Sequence, residues 1–99
     1  MTTFSEQVRA AFRRGESDAV VRMSEAEIER ARLAGDPAGE VEALYSLSRV
    51  AVRRGDLPGG ERLASAALGV AVDAGDRELE ERPRPDPAQI VKKWAPPVD

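Results

Sequence analysis

The sequence predicts an all-α fold, and three observations support this prediction. A glycine followed by an acidic residue recurs every 20 residues, at Gly15-Glu16, Gly35-Asp36, Gly55-Asp56 and Gly75-Asp76. Between these pairs the apolar residues recur at helical spacing, and 33% charged with only 4% aromatic residues is typical of charged amphipathic helices. Glycine readily adopts the left-handed conformation that ends a helix, and an acidic side chain can accept the free N–H groups of the next one. Each pair therefore predicts the end of one helix and the start of another.

The first two helices are predicted at about 3–14 and 17–34. Thr3 and Glu6 have the spacing of a capping box and precede an apolar stripe in the first helix. The second helix also has an apolar stripe, but Glu27 lies on it where a packing residue is expected. Its opposite face is rich in Glu and Arg, so we expect that face to be exposed to solvent.

The third and fourth helices are predicted at about 36–54 and 57–74. Asp36 followed by Pro37 is typical of an N-cap and a first helical turn. The stretch Pro58-Gly59-Gly60 is interpreted as a loose start of the fourth helix. This helix has no charged residue from Leu63 to Val72, so we expect it to be covered on all sides.

Residues 77–99 are predicted to form a proline-rich tail with a short fifth helix at about 86–95. Asp86-Pro87 is again a typical helix start, and an apolar side follows it before Pro96-Pro97. We expect this side to cover the fourth helix, either within one chain or exchanged between two copies; an unfolded tail is the alternative. The predicted capping or oligomer contact comprises Leu63, Leu68, Val72, Ile90, Val91 and Trp94.

Composition narrows the classes of function. The 99 residues suffice for one domain, and they include neither cysteine nor histidine, the commonest nucleophile, base and metal ligands. We therefore expect no catalysis, no cofactor and no metal. A net charge of −3 argues against nucleic acid as a partner. The longest apolar run, 66–72, is far shorter than the roughly 20 residues of a membrane span. We expect a cytoplasmic protein, and lysine at only two of 15 basic positions indicates a bacterial genome rich in GC.

The chain resembles itself with a shift of 40 residues. Arg13-Arg14-Gly15 aligns with Arg53-Arg54-Gly55, and Ala34-Gly35-Asp36 aligns with Ala74-Gly75-Asp76. The repeating unit is a helical hairpin, predicted at about 1–36 and again at about 37–76. Stacked helical hairpins of this repeat length are typical of solenoid proteins, which usually act as binding surfaces.

The second unit carries a family resemblance, in the residues Leu44, Leu47, Ala51, Gly55-Asp56-Leu57, Ala67 and Leu68. They resemble the longer, 40-residue version of the tetratricopeptide repeat (TPR). The departures from that pattern are Ser24, Glu27, Ser48, Gly60 and Ala64. The resemblance covers about residues 1–76. It implies a short right-handed α-α superhelix of two helical hairpins, to which the predicted capping helix adds a fifth element.

The resemblance also implies a non-catalytic protein or peptide interaction module, with a groove lined by the first helix of each hairpin. The lining implied by the resemblance comprises Ser5, Arg9, Phe12 and Arg13 of the first helix and Glu42, Tyr45, Arg49, Val52 and Arg53 of the third. Six of these are the candidate binding residues, namely Arg9, Phe12, Arg13, Tyr45, Arg49 and Arg53. Because arginine pairs bidentately with carboxylates, we expect an acidic peptide or a terminal carboxylate as the ligand. Arginines in the last turn of a helix have an alternative role, since cations there interact favourably with the helix dipole.

Two further expectations concern assembly. Two repeats are fewer than the roughly three that a solenoid usually needs, so we expect a homodimer. The alternative function is a small accessory or regulatory subunit that docks on a larger enzyme through the fourth helix and the C-terminal tail.

Overall fold

The computed structural model describes residues 2–75, which form four α-helices and contain no strand. These helices are α1 (Phe4–Arg13), α2 (Ser17–Ala34), α3 (Pro37–Arg53) and α4 (Leu57–Ala74). The all-α prediction is confirmed, and the predicted bounds of the four helices agree with the observed ones to within a residue. The predictions for the tail, including a helix at about 86–95, lie outside the described residues.

The helices end and begin largely as the Gly-acid pairs predict. All four glycines of these pairs have positive φ, with Gly35 at 64° and Gly75 at 66°. Asp36 and Asp56 then cap the following helices by accepting the N–H groups of the residues three positions on, at 3.1 and 2.9 Å. Glu16 forms no such bond with α2. The prediction is therefore wrong at Glu16, because glutamate has one more methylene than the side chains that favour the cap position.

Each described helix packs chiefly against its neighbours in sequence, which places the helices in a row. One core cluster joins α1, α2 and α3 through Val8, Ala11, Val20 and Val50. A second cluster joins α3 and α4 through Val41, Leu44, Tyr45, Ala67 and Ala71, and Ile28 of α2 packs against it. Because α3 contributes to both clusters, it is the central element of the described part of the chain.

Gly60 lets the first turn of α4 approach α3 closely. Gly59 and Gly60 are both buried, and the Ser48 hydroxyl donates a hydrogen bond of 2.7 Å to the Gly60 carbonyl. A Cβ atom on Gly60 would lie only 2.7 Å from Cγ2 of Val52. Pro58-Gly59-Gly60 is therefore a helix start, as predicted, but the turn is a tight packing contact and not a loose one.

The remainder of α4 is covered unevenly within residues 2–75. Its α3-facing side is buried, but Ser65 is exposed and Val72 keeps 53% of its surface accessible. Within the described residues, α4 is therefore covered on one side only, whereas the sequence predicted cover on all sides. Within the same residues, no helix has both the length and the apolar character needed to cross a membrane.

The unexpected Glu27 of α2 is part of an ion-pair network. Its side chain is only 16% exposed and accepts two hydrogen bonds from Arg30, at 2.5 and 3.0 Å. Arg30 also contacts the capping carboxylate of Asp36 at 2.8 Å. Hydrogen bonds from Arg30 and from the Gly39 N–H hold the pKa of Asp36 below its ordinary value of 3.8. The network ties α2 to the first turn of α3.

Candidate functional site

A groove runs between α1 and α3, the first helices of the two hairpins. Four residues of each helix line it, namely Ser5, Val8, Arg9 and Phe12 of α1 and Glu42, Tyr45, Ser46 and Arg49 of α3. Both sets have the three- and four-residue spacing that places side chains on one face of a helix. The cavity volume is about 200 Å³. Small-molecule sites usually have roughly 300–1,000 Å³, so the groove is better matched to one or two side chains of a peptide.

Four of the six predicted binding residues line this groove, and they are Arg9, Phe12, Tyr45 and Arg49. Arg53 lies beside it, with its guanidinium carbon 4.3 Å from the centre of the Phe12 ring. This cation–π contact joins the end of α3 to α1. Arg13 is exposed in the last turn of α1 and does not line the groove. Its position fits the alternative role, a favourable interaction with the helix dipole.

Positive charge in the groove is incompletely neutralised. Partial burial lowers the pKa of Arg49, and the charges of Arg53 and Arg9 lower it further, while Glu42 opposes the shift. Arg49 stays charged at neutral pH, because the pKa of an arginine lies far above 7. Within residues 2–75, Arg9, Arg49 and Arg53 form no ion pair. An anion bound between them would relieve this repulsion.

Tyr45 contributes a buried hydroxyl to the same region. Its side chain is 4% exposed, and its hydroxyl oxygen has no hydrogen-bond partner among the described residues. Buried polar groups are nearly always paired, so this hydroxyl is an exception among the described residues. The sequence predicted Tyr45 in the groove but gave no indication of the unpaired hydroxyl.

Two groove residues were missed by the sequence analysis. Val8 is 4% exposed and forms part of the core beneath the groove. Ser46 donates its hydroxyl to the Glu42 carbonyl one turn earlier, at 3.1 Å. Both lie next to predicted positions on the same helical faces, so counting the neighbouring positions of each face could have found them.

The predicted capping or oligomer contact is only partly described. Leu63 packs against the α3–α4 core, Leu68 is half-buried and Val72 is exposed. The other three members of that contact, Ile90, Val91 and Trp94, lie outside the described residues.

Comparisons with known proteins assign no family. No protein-family model, no curated protein and no solved structure matches this chain. Residues 2–75 also hold no group of three acidic, histidine or cysteine side chains placed to bind a metal. Function is therefore inferred from the geometry of the groove itself.

Proposed function

We propose that the protein is a non-catalytic interaction module that binds an acidic peptide segment or a terminal carboxylate in the groove between α1 and α3. One observation carries this proposal. Arg9 and Arg49, 40 residues apart in sequence, come together beside Tyr45 in one groove, with Glu42 as the only carboxylate among the described residues of its lining. The bound group would be an anion, because it would offset the repulsion that helps to lower the pKa of Arg49.

The aromatic residues favour a peptide over a free small anion. Phe12 and Tyr45 give the groove apolar surface next to its charges, and the volume of about 200 Å³ suits side chains attached to an extended backbone.

A TPR-like superhelix is part of the same proposal. It is supported by the 40-residue internal repeat, by the row of helices that contact their sequence neighbours, and by a groove formed from the first helix of each hairpin. In this arrangement α2 and α4 lie behind the groove and set the spacing of α1 and α3.

The test is a binding measurement with two synthetic labelled peptides. Both have the same aspartate- and glutamate-rich sequence, and one ends in a free carboxylate while the other ends in an amide. We expect fluorescence anisotropy to show binding that weakens as salt rises, because exposed charges are screened. Arg9→Ala combined with Arg49→Ala should weaken it by roughly tenfold or more, since the loss of even one hydrogen bond to a charged group costs about 1.5–3 kcal/mol.

The matched control is Arg22→Ala combined with Arg62→Ala. Arg22 and Arg62 are also exposed and also 40 residues apart, but they lie on α2 and α4 and do not line the groove. This control changes the net charge by the same amount and should leave affinity nearly unchanged. Equal loss in both double variants, or affinity independent of salt, would contradict the proposal. Binding of a partner protein that survives the loss of Arg9 and Arg49 would instead favour the accessory-subunit alternative.

A further inference from the structure

An apolar stripe on α4 stays open to solvent within residues 2–75. Leu68 and Val72 lie on it one turn apart, and Ser65 lies one turn before Leu68. Val72 is 53% exposed, and only Val72 and Leu33 are large apolar residues exposed in the described part of the chain. No charged residue occurs between Leu63 and Val72, so the stripe has little to gain from contact with water.

The internal repeat identifies the residues of α2 that correspond to this stripe of α4 and shows what they contact. A shift of 40 residues aligns Leu68 with Ile28 and Val72 with Arg32. Ile28 packs against the core that α3 shares with α4, and Arg32 forms an ion pair of 2.8 Å with Glu40 of α3. In the first hairpin, the corresponding face of α2 therefore packs against α3, the next helix in the chain.

Gly75 ends α4 in nearly the same left-handed conformation in which Gly35 ends α2. Gly35 caps α2 with φ 64° and ψ 43°, and Gly75 caps α4 with φ 66° and ψ 26°. After Gly35 the chain returns along α2 as α3. A segment that left Gly75 in the same way would be directed back toward the open stripe of α4, where Val72 occupies the position that Arg32 has in α2.

We propose that the segment 86–95 of the same chain covers this stripe, with Ile90, Val91 and Trp94 packed against Leu68 and Val72. The residues directly after Asp76 are unsuited to the task, because the counterparts of Val41 and Leu44 are Glu81 and Arg84. The first apolar side beyond them is that of 86–95. A tryptophan buries roughly 150–250 Å² when it is covered, which makes Trp94 the main apolar anchor.

The length of the intervening chain permits this contact. Residues 76–85 can extend to about 33–36 Å, whereas the 18 residues of α4 span roughly 27 Å. The segment can thus reach any point along the helix. A short tether also keeps it at an effective concentration of about 1 mM, which favours contact within one chain over contact between dilute copies.

The experiment uses the full chain and its single tryptophan as the reporter. Selective excitation of Trp94 should give an emission maximum shifted to the blue of the urea-denatured protein, with slower acrylamide quenching. Both should be independent of protein concentration from low micromolar upward, and light scattering should give the mass of a monomer. Val72→Asp should shift the docked-to-undocked ratio by roughly tenfold or more, because it removes the burial of a valine side chain. Its emission should move toward that of the denatured chain.

Leu33→Asp is the matched control. Leu33 is 85% exposed in the last turn of α2, as Val72 is in the last turn of α4, so both substitutions place a carboxylate near a helix C-terminus. The control should leave Trp94 emission unchanged. If Val72→Asp lowers the helical signal in far-UV circular dichroism, Ser65→Arg provides a second block on the same stripe that does not touch the core.

Three results would overturn the proposal. Emission of the native protein at the denatured position would show that Trp94 is not covered. Emission that is blue-shifted but unchanged by both Val72→Asp and Ser65→Arg would place Trp94 elsewhere. A blue shift that grows with concentration together with a dimer mass would assign the stripe to a second copy of the chain.

Discussion

Adding one methyl group to Gly60 tests how closely α4 is held against α3. The Cβ of Gly60→Ala would lie 2.7 Å from Cγ2 of Val52 and 3.3 Å from the backbone oxygen of Ser48. Val52 has one strongly preferred rotamer in a helix, and the backbone oxygen has no rotamer at all, so neither neighbour moves easily. Overpacking of this kind costs about 1–3 kcal/mol. Separation of the helices would also weaken the hydrogen bond from Ser48 to Gly60, which contributes about 1 kcal/mol.

Part of this cost is offset, because alanine is more favourable than glycine within a helix by about 1 kcal/mol. We therefore expect Gly60→Ala to lower the free energy of unfolding by about 1–3 kcal/mol. The matched control is Gly69→Ala in the same helix, where an added Cβ has no neighbour within 4 Å among the described residues. That variant should be more stable than the wild type by up to about 1 kcal/mol.

Urea denaturation followed by far-UV circular dichroism measures both variants. The dependence of the free energy on urea should be the same in all three proteins, so that the midpoints report stability directly. In thermal denaturation each kcal/mol should move the midpoint by about 4–8 °C for a domain of this size. A Gly60→Ala protein that gains as much stability as Gly69→Ala would refute the close approach of the two helices.

Two more predictions concern the groove and the capping network. Tyr45→Phe should leave the free energy of unfolding unchanged or raise it by up to about 1 kcal/mol, because the hydroxyl has no partner to lose within residues 2–75; a clear loss of stability in urea would contradict this assignment. Asp36→Asn keeps a good N-cap but removes the charge opposite Arg30. Because the pKa of Asp36 is lowered in the folded state, its ionised form stabilises the protein above its ordinary pKa of 3.8, and that stability is lost as pH falls through the lower folded value. Thermal midpoints measured across pH should therefore show a wild-type advantage at neutral pH that shrinks in acid, and an advantage independent of pH would exclude this origin.

Local features of the fold could be predicted well from the sequence. Helix ends depend on a few adjacent residues, so Gly35 with Asp36 was sufficient to place the boundary between α2 and α3. The capping box of Thr3 and Glu6 was predicted for the same reason and is present. The prediction was wrong at Glu16 because it treated glutamate and aspartate alike, although their side chains differ in length.

Features that depend on distances between helices could not be predicted in the same way. The bond between Ser48 and Gly60 joins residues 12 positions apart, and it requires the register of α3 against α4. The pairing of Glu27 with Arg30 was within reach of a spacing argument, but its extension to Asp36 depends on the turn between two helices.

For the groove, the internal repeat and the family resemblance supplied Arg9, Phe12, Tyr45 and Arg49, which do line one cavity. Its volume, the unpaired Tyr45 hydroxyl and the stacking of Arg53 on Phe12 are properties of packed side chains. No pattern in the sequence carries that information. The groove could therefore be located from sequence, but its chemistry required atomic positions.

The shortness of α1 has a consequence for any ligand of the groove. This helix has ten residues, fewer than the roughly 12–15 at which an isolated helix becomes even marginally stable, yet it supplies one wall of the cavity. If the groove binds a peptide as proposed, molecules in which α1 has frayed would not be competent to bind it, and the apparent dissociation constant would rise in inverse proportion to the competent fraction. The hydrogen bonds between Thr3 and Glu6, at the outer end of that wall, would then help to set the affinity without contacting the ligand.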